Sequence, residues 1–297
     1  MKRPIKLAVA SLAVLVVVAA AAAGVVSKLA DRKLHRIVQL PPLRVTFAAA
    51  DGQLEHGEYL FKTRGCMECH GAAGAGLVLI DDKDSGFSVR TPNITSGGAS
   101  PARGCSDTDW VRALRHGVKP SGEPLWIMPS EDYARMTDFD VGAIAAYVRS
   151  LSPADTGGAQ FGRPLLIKAA YLFGAIKDPA EKIDHTAAAP GAVPDDLLAR
   201  GEYIAQGCTG CHGAHFSGGK IPAAPRAWPD AANLTSAPDS GMAHYTSAEQ
   251  FKSMLRTGMR PDGSTVSEVM PFKSLAYMSD AELDALFAFL KSLKARP

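Results

Sequence analysis

The sequence predicts an all-α protein in which an N-terminal membrane-spanning helix leads into two tandem copies of one small helical domain. Three observations predict it. Residues 7–26 carry no charge, a set of short motifs recurs along the rest of the chain, and apolar residues within each copy fall three and four apart. The boundaries that follow are 1–45 for a cytoplasmic tail, the span and a juxtamembrane segment, 46–155 for the first domain, 156–190 for a linker and 191–297 for the second domain.

The span comes first in the chain. Twenty uncharged residues rising about 1.5 Å each suffice for a hydrocarbon core of about 30 Å. Lys2, Arg3 and Lys6 precede it, and Lys28, Arg32, Lys33 and Arg36 follow, so charge alone does not orient it. Ala21-Ala22-Ala23 would suit cleavage of a signal peptide. The apolar core of such peptides runs about 7–15 residues, and the greater length here favours an uncleaved anchor.

The repeat follows. Gly57-Glu58-Tyr59 returns as Gly201-Glu202-Tyr203, and Asn93-Ile94-Thr95 as Asn233-Leu234-Thr235. Leu114-Arg115-x-Gly117-x-x-Pro120-x-Gly122 returns as Leu255-Arg256-x-Gly258-x-x-Pro261-x-Gly263, and Met128-Pro129 as Met270-Pro271. Each copy predicts a leading helix, at 53–64 and 195–206. A second helix opens after Ser106 in the first copy, and after Ser247, with Gln250 at capping-box spacing, in the second. The last helix opens after Thr137 and Ser279, with Asp140 and Glu282 three residues on. Its apolar stripes are Val141, Ile144, Ala145, Val148 and Leu283, Leu286, Phe287, Leu290. In the linker, residues 164–176 are apolar and pack either between the domains or against the membrane, while 187–191 reads as flexible.

Cys66-Met67-Glu68-Cys69-His70 and Cys208-Thr209-Gly210-Cys211-His212 give the chain its chemistry. A C-x-x-C-H run is the attachment signature of covalent haem: two sulfurs form thioethers to one porphyrin and the histidine supplies an axial nitrogen. Four of the five cysteines lie in these pentapeptides, which excludes a disulfide framework. Two covalent haems, on Cys66, Cys69 and on Cys208, Cys211, with His70 and His212 on the irons, also give the long Gly/Pro-rich loops a core to wrap. Covalent attachment takes place on the exported side of a membrane, so the domains belong in the periplasm of a bacterium, with one pass through its inner membrane.

Methionine is the usual sixth ligand in electron-transfer haem proteins. Two methionine pairs repeat. Met136 and Met278 precede helix caps and sit at hydrophobic-staple spacing to Val141 and Leu283, which gives them a structural task. Met128 and Met270 lie in loops stiffened by the following proline and are the candidate axial ligands, with ordinary core packing as the alternative. Arg115 and Arg256 either pair with haem propionates or face solvent. Asn93 and Asn233 either contact a propionate or shape their loops through Asx-turns. Trp110, matched by Phe251, reads as packing against porphyrin. Cys105 has no counterpart; it is an incidental thiol, or a ligand competing with Met128 on the first haem.

Charge is uneven along the chain. Residues 1–50 hold eight Lys/Arg and one acid, whereas residues 51–155 hold ten against fifteen. No basic face on a folded domain points to nucleic acid. The acidic first domain suits a partner with a positive patch.

With these residues in view, the chain resembles the mono- and dihaem cytochrome c family, in particular the membrane-bound cytochrome c subunits of bacterial alcohol and gluconate dehydrogenases. The resemblance runs from Gly-Glu-Tyr through Pro92-Asn93-Ile94-Thr95 to the Met-Pro pairs, and includes Gly162-Arg163-Pro164-Leu165-Leu166 in the linker. It implies two cytochrome c folds, His/Met ligation and electron transfer to a quinone or another cytochrome. It also implies redox partner proteins: a dehydrogenase subunit, a quinol-oxidising complex, a terminal oxidase or another cytochrome. The chain departs in having two haem sites where those subunits carry three, and in placing its anchor first. A dihaem enzyme is the competing expectation, thiosulfate dehydrogenase-like through Cys105 or peroxidase-like, with His116 and His244 as available acid–base groups.

Overall fold

The computed structural model describes residues 2–222, 224 and 228–296. Helix α1 (Lys2–Leu34) contains the uncharged run. The first domain is built from α2 (Gln53–Thr63), α3 (Cys66–His70), α4 (Asp107–His116) and α5 (Asp138–Ser150). Helix α6 (Leu165–Leu172) stands in the linker. The second domain repeats the plan with α7 (Leu197–Ala205), α8 (Thr209–His212), α9 (Ala248–Thr257), α10 (Phe272–Leu275) and α11 (Asp280–Ser292).

The predicted caps form. Ser106 accepts from Asp109 N in a full capping box, and Thr137, Ser247 and Ser279 accept from the amides three residues on. In each domain the first helix crosses the last at a glycine. A Cβ at Gly57 would lie 2.1 Å from the Ala143 carbonyl oxygen, and one at Gly201 2.1 Å from that of Ala285. The glycine of Gly-Glu-Tyr is therefore what lets the two backbones approach. Separate cores result: Leu60, Phe61, Trp110, Val111, Leu114, Met136, Val141 and Ile144 in one, Ile204, Phe251, Leu255, Met278, Leu283 and Leu286 in the other.

The structure corrects the all-α expectation in one place. Strands β1 (Val78–Asp82), β2 (Phe87–Arg90) and β3 (Gln160–Gly162) form an antiparallel sheet in that order. The β1–β2 turn passes through Gly86 at φ +73°, a conformation glycine takes without strain. The third strand comes from the linker, so the linker begins as part of the first half. Farther on, Asp178 is fully buried, holds Arg36 through two hydrogen bonds of 2.6 and 2.9 Å, and accepts from the Tyr171 hydroxyl. Helix α6 lies along α1.

The domains meet through reciprocal contacts. Tyr59 accepts a hydrogen bond from Ser279 N at 2.9 Å and donates to Glu282; Tyr203 accepts from Thr137 N at 3.1 Å and donates to Asp140. Each tyrosine thus seals the N-terminus of the other domain's last helix. A second pair obeys the same exchange. Ser274 donates to Glu68 in the first pentapeptide at 2.6 Å, and Asp132, at the position equivalent to Ser274, accepts from Gly210 N in the second at 2.8 Å. Equivalent residues swapping roles define a pseudo-twofold interface, and it brings both pentapeptides to the boundary between the domains.

Candidate haem sites

Helices α3 and α8 are the two C-x-x-C-H runs wound into single turns, each ended by a glycine (Gly71 at φ +74°, Gly213 at φ +78°). His70 Nδ1 lies 3.0 Å from the Pro92 carbonyl oxygen and His212 Nδ1 2.7 Å from that of Ala232. A carbonyl can only accept, so Nδ1 carries the proton and Nε2 keeps its lone pair for a metal. Burial lowers the pKa of both imidazoles, with the carbonyl hydrogen bond acting the other way, which favours the neutral form that ligates.

Desolvation pushes the Cys66 and Cys208 thiols up to about 12 and raises those of Cys69 and Cys211. Among the described residues no group of three or more His, Cys, Asp or Glu side chains converges on a common point.

Met128 packs on the same core as Cys66, Ile94 and Trp110, and Met270 on the same core as Cys208 and Leu234. Each is half-buried, whereas Met136 and Met278 are interior side chains, as the staple spacing predicts. In the first domain the indole N–H groups of Trp110 and Trp126 are buried without an acceptor. Buried donors are otherwise nearly always paired, so each of these, like the unpartnered Nε and Nη2 of Arg115, suits a place shaped for a group with acceptors of its own. Trp126 was not legible as functional. Phe87 and Phe161 meet its ring edge-on and Arg163 lies 5.2 Å from its centroid, contacts made by the unanticipated sheet and the residue after it.

The asparagines have other work in the structure. Asn93 Oδ1 accepts from Thr95 N and Oγ1, and its Nδ2 donates to Gly97 O and Ala154 O; Asn233 accepts from Thr235 N and Oγ1 and donates to Arg296 O. Of the two readings offered by the sequence, these are the Asx-turns, and Asn93 has no amide hydrogen to spare for a propionate. Arg115 Nη2 lies 2.7 Å from Asp138 and Arg256 pairs with Asp280, each at the first residue of the last helix, but Arg115 Nε and Nη2 are buried without a hydrogen bond. Arg115 also lines a cavity of about 350 Å3 with Leu43, Val45, His116 and His185. That cavity includes no pentapeptide residue and no Met128 among its walls. Cys105 donates from Sγ to Pro101 O at 3.2 Å, and burial followed by Asp109 raises its pKa, so the thiol stays protonated in its own loop.

Two small helical domains, each with a histidine primed at Nε2, two paired cysteines and a methionine on one core, define a c-type haem-binding protein. Family comparison agrees. The cytochrome c family model matches residues 198–294, and the model for cytochrome c oxidase, cbb3-type, subunit III matches residues 52–148. Two segments of the chain thus match cytochrome c domain models. It is 28% identical over 279 residues to the gluconate 2-dehydrogenase cytochrome c subunit of Pantoea cypripedii, covering 84% of this chain and 61% of that one. It is 26% identical over 291 residues to the fructose dehydrogenase cytochrome subunit of Gluconobacter japonicus, covering 87% and 56%. Over 99 residues it is 37% identical to the cytochrome c subunit of the quinone-dependent alcohol dehydrogenase of Gluconobacter oxydans (strain 621H), covering 31% and 20%. The chain thus spans little more than half the length of the first two relatives.

Proposed function

We propose that the chain is a membrane-anchored, two-haem electron carrier that serves as the redox subunit of a dehydrogenase on the periplasmic face of a bacterial inner membrane. The observation that carries this reading is the duplicated ligand geometry: in both domains the pentapeptide histidine is tied through Nδ1 to a carbonyl, and a half-buried methionine packs on the same core as the first cysteine.

On this reading Cys66 and Cys69 hold one haem and Cys208 and Cys211 the other, and the bound haem supplies an iron that cycles by one electron. His70 and His212 would each supply a nitrogen to the iron, with their carbonyl bonds holding the ring orientation. Met128 and Met270 would each supply a thioether, which would keep substrate from the metal and raise the potential. Trp110 and Trp126 offer buried N–H donors to the haem carboxylates of the first domain. A dehydrogenase partner is supported by the relatives, whose names attach them to gluconate, fructose and alcohol oxidation. Anchoring is supported by α1, whose residues 7–34 are long and apolar enough to cross a membrane.

The oxidised protein carries the weak near-infrared sulfur-to-iron band of His/Met haem. Met128→Ala and Met270→Ala each remove about half of it and lower one potential, while Cys105→Ser leaves both unchanged. Retention of the full band in either methionine variant overturns the ligand assignment. Turnover of peroxide or thiosulfate by the isolated holoprotein overturns the carrier reading.

A further inference from the structure

Helix α6 is short, apolar and covered on one side only. Ala30 and Leu34 of α1 are buried and Val26, Ser27 and Asp31 half-buried, a stripe at helical spacing, on the helix against which α6 packs. Lys168 donates to Ser27 and Asp31, while one turn later the Tyr171 carbonyl accepts from Lys33 and its hydroxyl from Arg36. The partners on α1 advance as α6 advances, so the two helices run in the same direction. Leu165 and Leu166 precede Lys168 by two or three residues, about 3–4.5 Å nearer the uncharged run. That sets them toward the uncharged run of residues 7–26.

The outer side of α6 has no protein cover. Leu166 is 79% exposed, Phe173 77% and Leu165 45%, and Val25 and Leu29 of α1 are 57% and 41% exposed. Leu166 and Phe173 are seven residues apart and share a face. The one cation within α6, Lys168, is neutralised by Asp31, whereas Lys28 and Arg32 remain exposed on α1. An apolar face continuous with the uncharged run and bordered by free cations has the make-up of a surface that meets lipid at its headgroups.

We infer that the N-terminal end of α6 is seated in the outer leaflet beside α1, so that Leu165 and Leu166 are lipid contacts. This rests on the reading of α1 as an anchor. The first domain would then be held at two points. The strap after α1 is itself bound to that domain, with Val38 N donating to Gly122 O, Val45 N to Thr108 and Phe47 N to Asp107. Anchor, strap and α6 together fix which side of the first haem domain faces the membrane, whereas a single flexible tether leaves the domain free to tumble.

The test uses the full-length holoprotein with Cys105→Ser, reconstituted in vesicles of phosphatidylethanolamine and phosphatidylglycerol, with a nitroxide attached at Leu166→Cys, Leu15→Cys or Ser85→Cys. Collision rates with oxygen, which concentrates in lipid, and with a nickel chelate, which stays in water, report the surroundings of each label. The inference predicts a several-fold excess of oxygen over nickel collisions at 166, as at 15, and the reverse at 85. Nickel-accessible 166 with oxygen-rich 15 overturns the seating of α6 while leaving the anchor intact. A label at 166 shielded from both reagents means a protein, not lipid, covers the face and also overturns it. Nickel access at both 15 and 166 overturns the anchor and this inference together.

Discussion

Removing the Tyr203 hydroxyl tests the pseudo-twofold interface. Tyr203→Phe deletes two hydrogen bonds, one from Thr137 N and one to the buried Asp140 carboxylate, which is 1% exposed and is held otherwise by His56 at 2.7 Å. A hydrogen bond to a charged group contributes about 1.5–3 kcal/mol, and an unpaired buried N–H costs about 1 kcal/mol more. The expected loss is therefore roughly 2–4 kcal/mol. Tyr59→Phe falls at the lower end, because its carboxylate partner Glu282 is 20% exposed in its side chain and retains Arg64. Guanidinium unfolding of the holoprotein in detergent measures both. A Tyr203→Phe, Asp140→Asn cycle isolates the pairwise coupling, expected above about 1 kcal/mol. The double variant Tyr59→Phe, Tyr203→Phe should split one unfolding transition into two as the domains uncouple. Losses under about 0.5 kcal/mol in both single variants would refute the reasoning.

Further outcomes follow from single sites. Gly201→Ala places a methyl 2.1 Å from the Ala285 carbonyl oxygen, forces α7 off α11 and lowers stability by about 1–3 kcal/mol or more, read as a fall in melting temperature. His116 is held at about 4 by burial, with His185 and Arg115 adding to it. Its folded pKa lies below the unfolded value, so stability is intact above about pH 6.5 and falls as pH drops toward 4, and His116→Gln flattens that limb of the melting-temperature profile. Asp132 is raised to about 7 by burial and then by Glu131. Its contribution is full below about pH 4 and lost as pH rises to 7, so Asp132→Asn raises the melting temperature at pH 8 and not at pH 4. Met136→Leu, a volume-conserving change in the interior, leaves the near-infrared band intact.

What could be read from the sequence was local or periodic. Four helix caps and the staple methionines depend on residues within a few positions of one another, or on a repeat that makes two copies vouch for each other. The tyrosine latch was half visible, since Tyr59 and Tyr203 recur with the glycine. Their partners, Ser279 and Thr137, belong to the opposite domain, 220 and 66 residues away, and no local pattern joins them. The sheet escaped notice because β1 is mostly exposed and shows no alternation of buried and open positions. Asn93 and Asn233 were read with two options because an Asx-turn and a propionate contact call for the same residue; only the Thr95 and Thr235 amides distinguish them. Trp126 is a candidate only through its packing, as its ring meets Phe87 and Phe161 of a sheet whose third strand lies more than thirty residues downstream.

The account depends on each domain carrying its own covalent porphyrin. Intact mass of the purified chain together with its pyridine haemochrome measures this directly. Two haems per chain are predicted, falling to one in Cys208→Ser, Cys211→Ser and to one in Cys66→Ser, Cys69→Ser. A wild-type chain bearing one haem or none, or a double variant that still bears two, would contradict it.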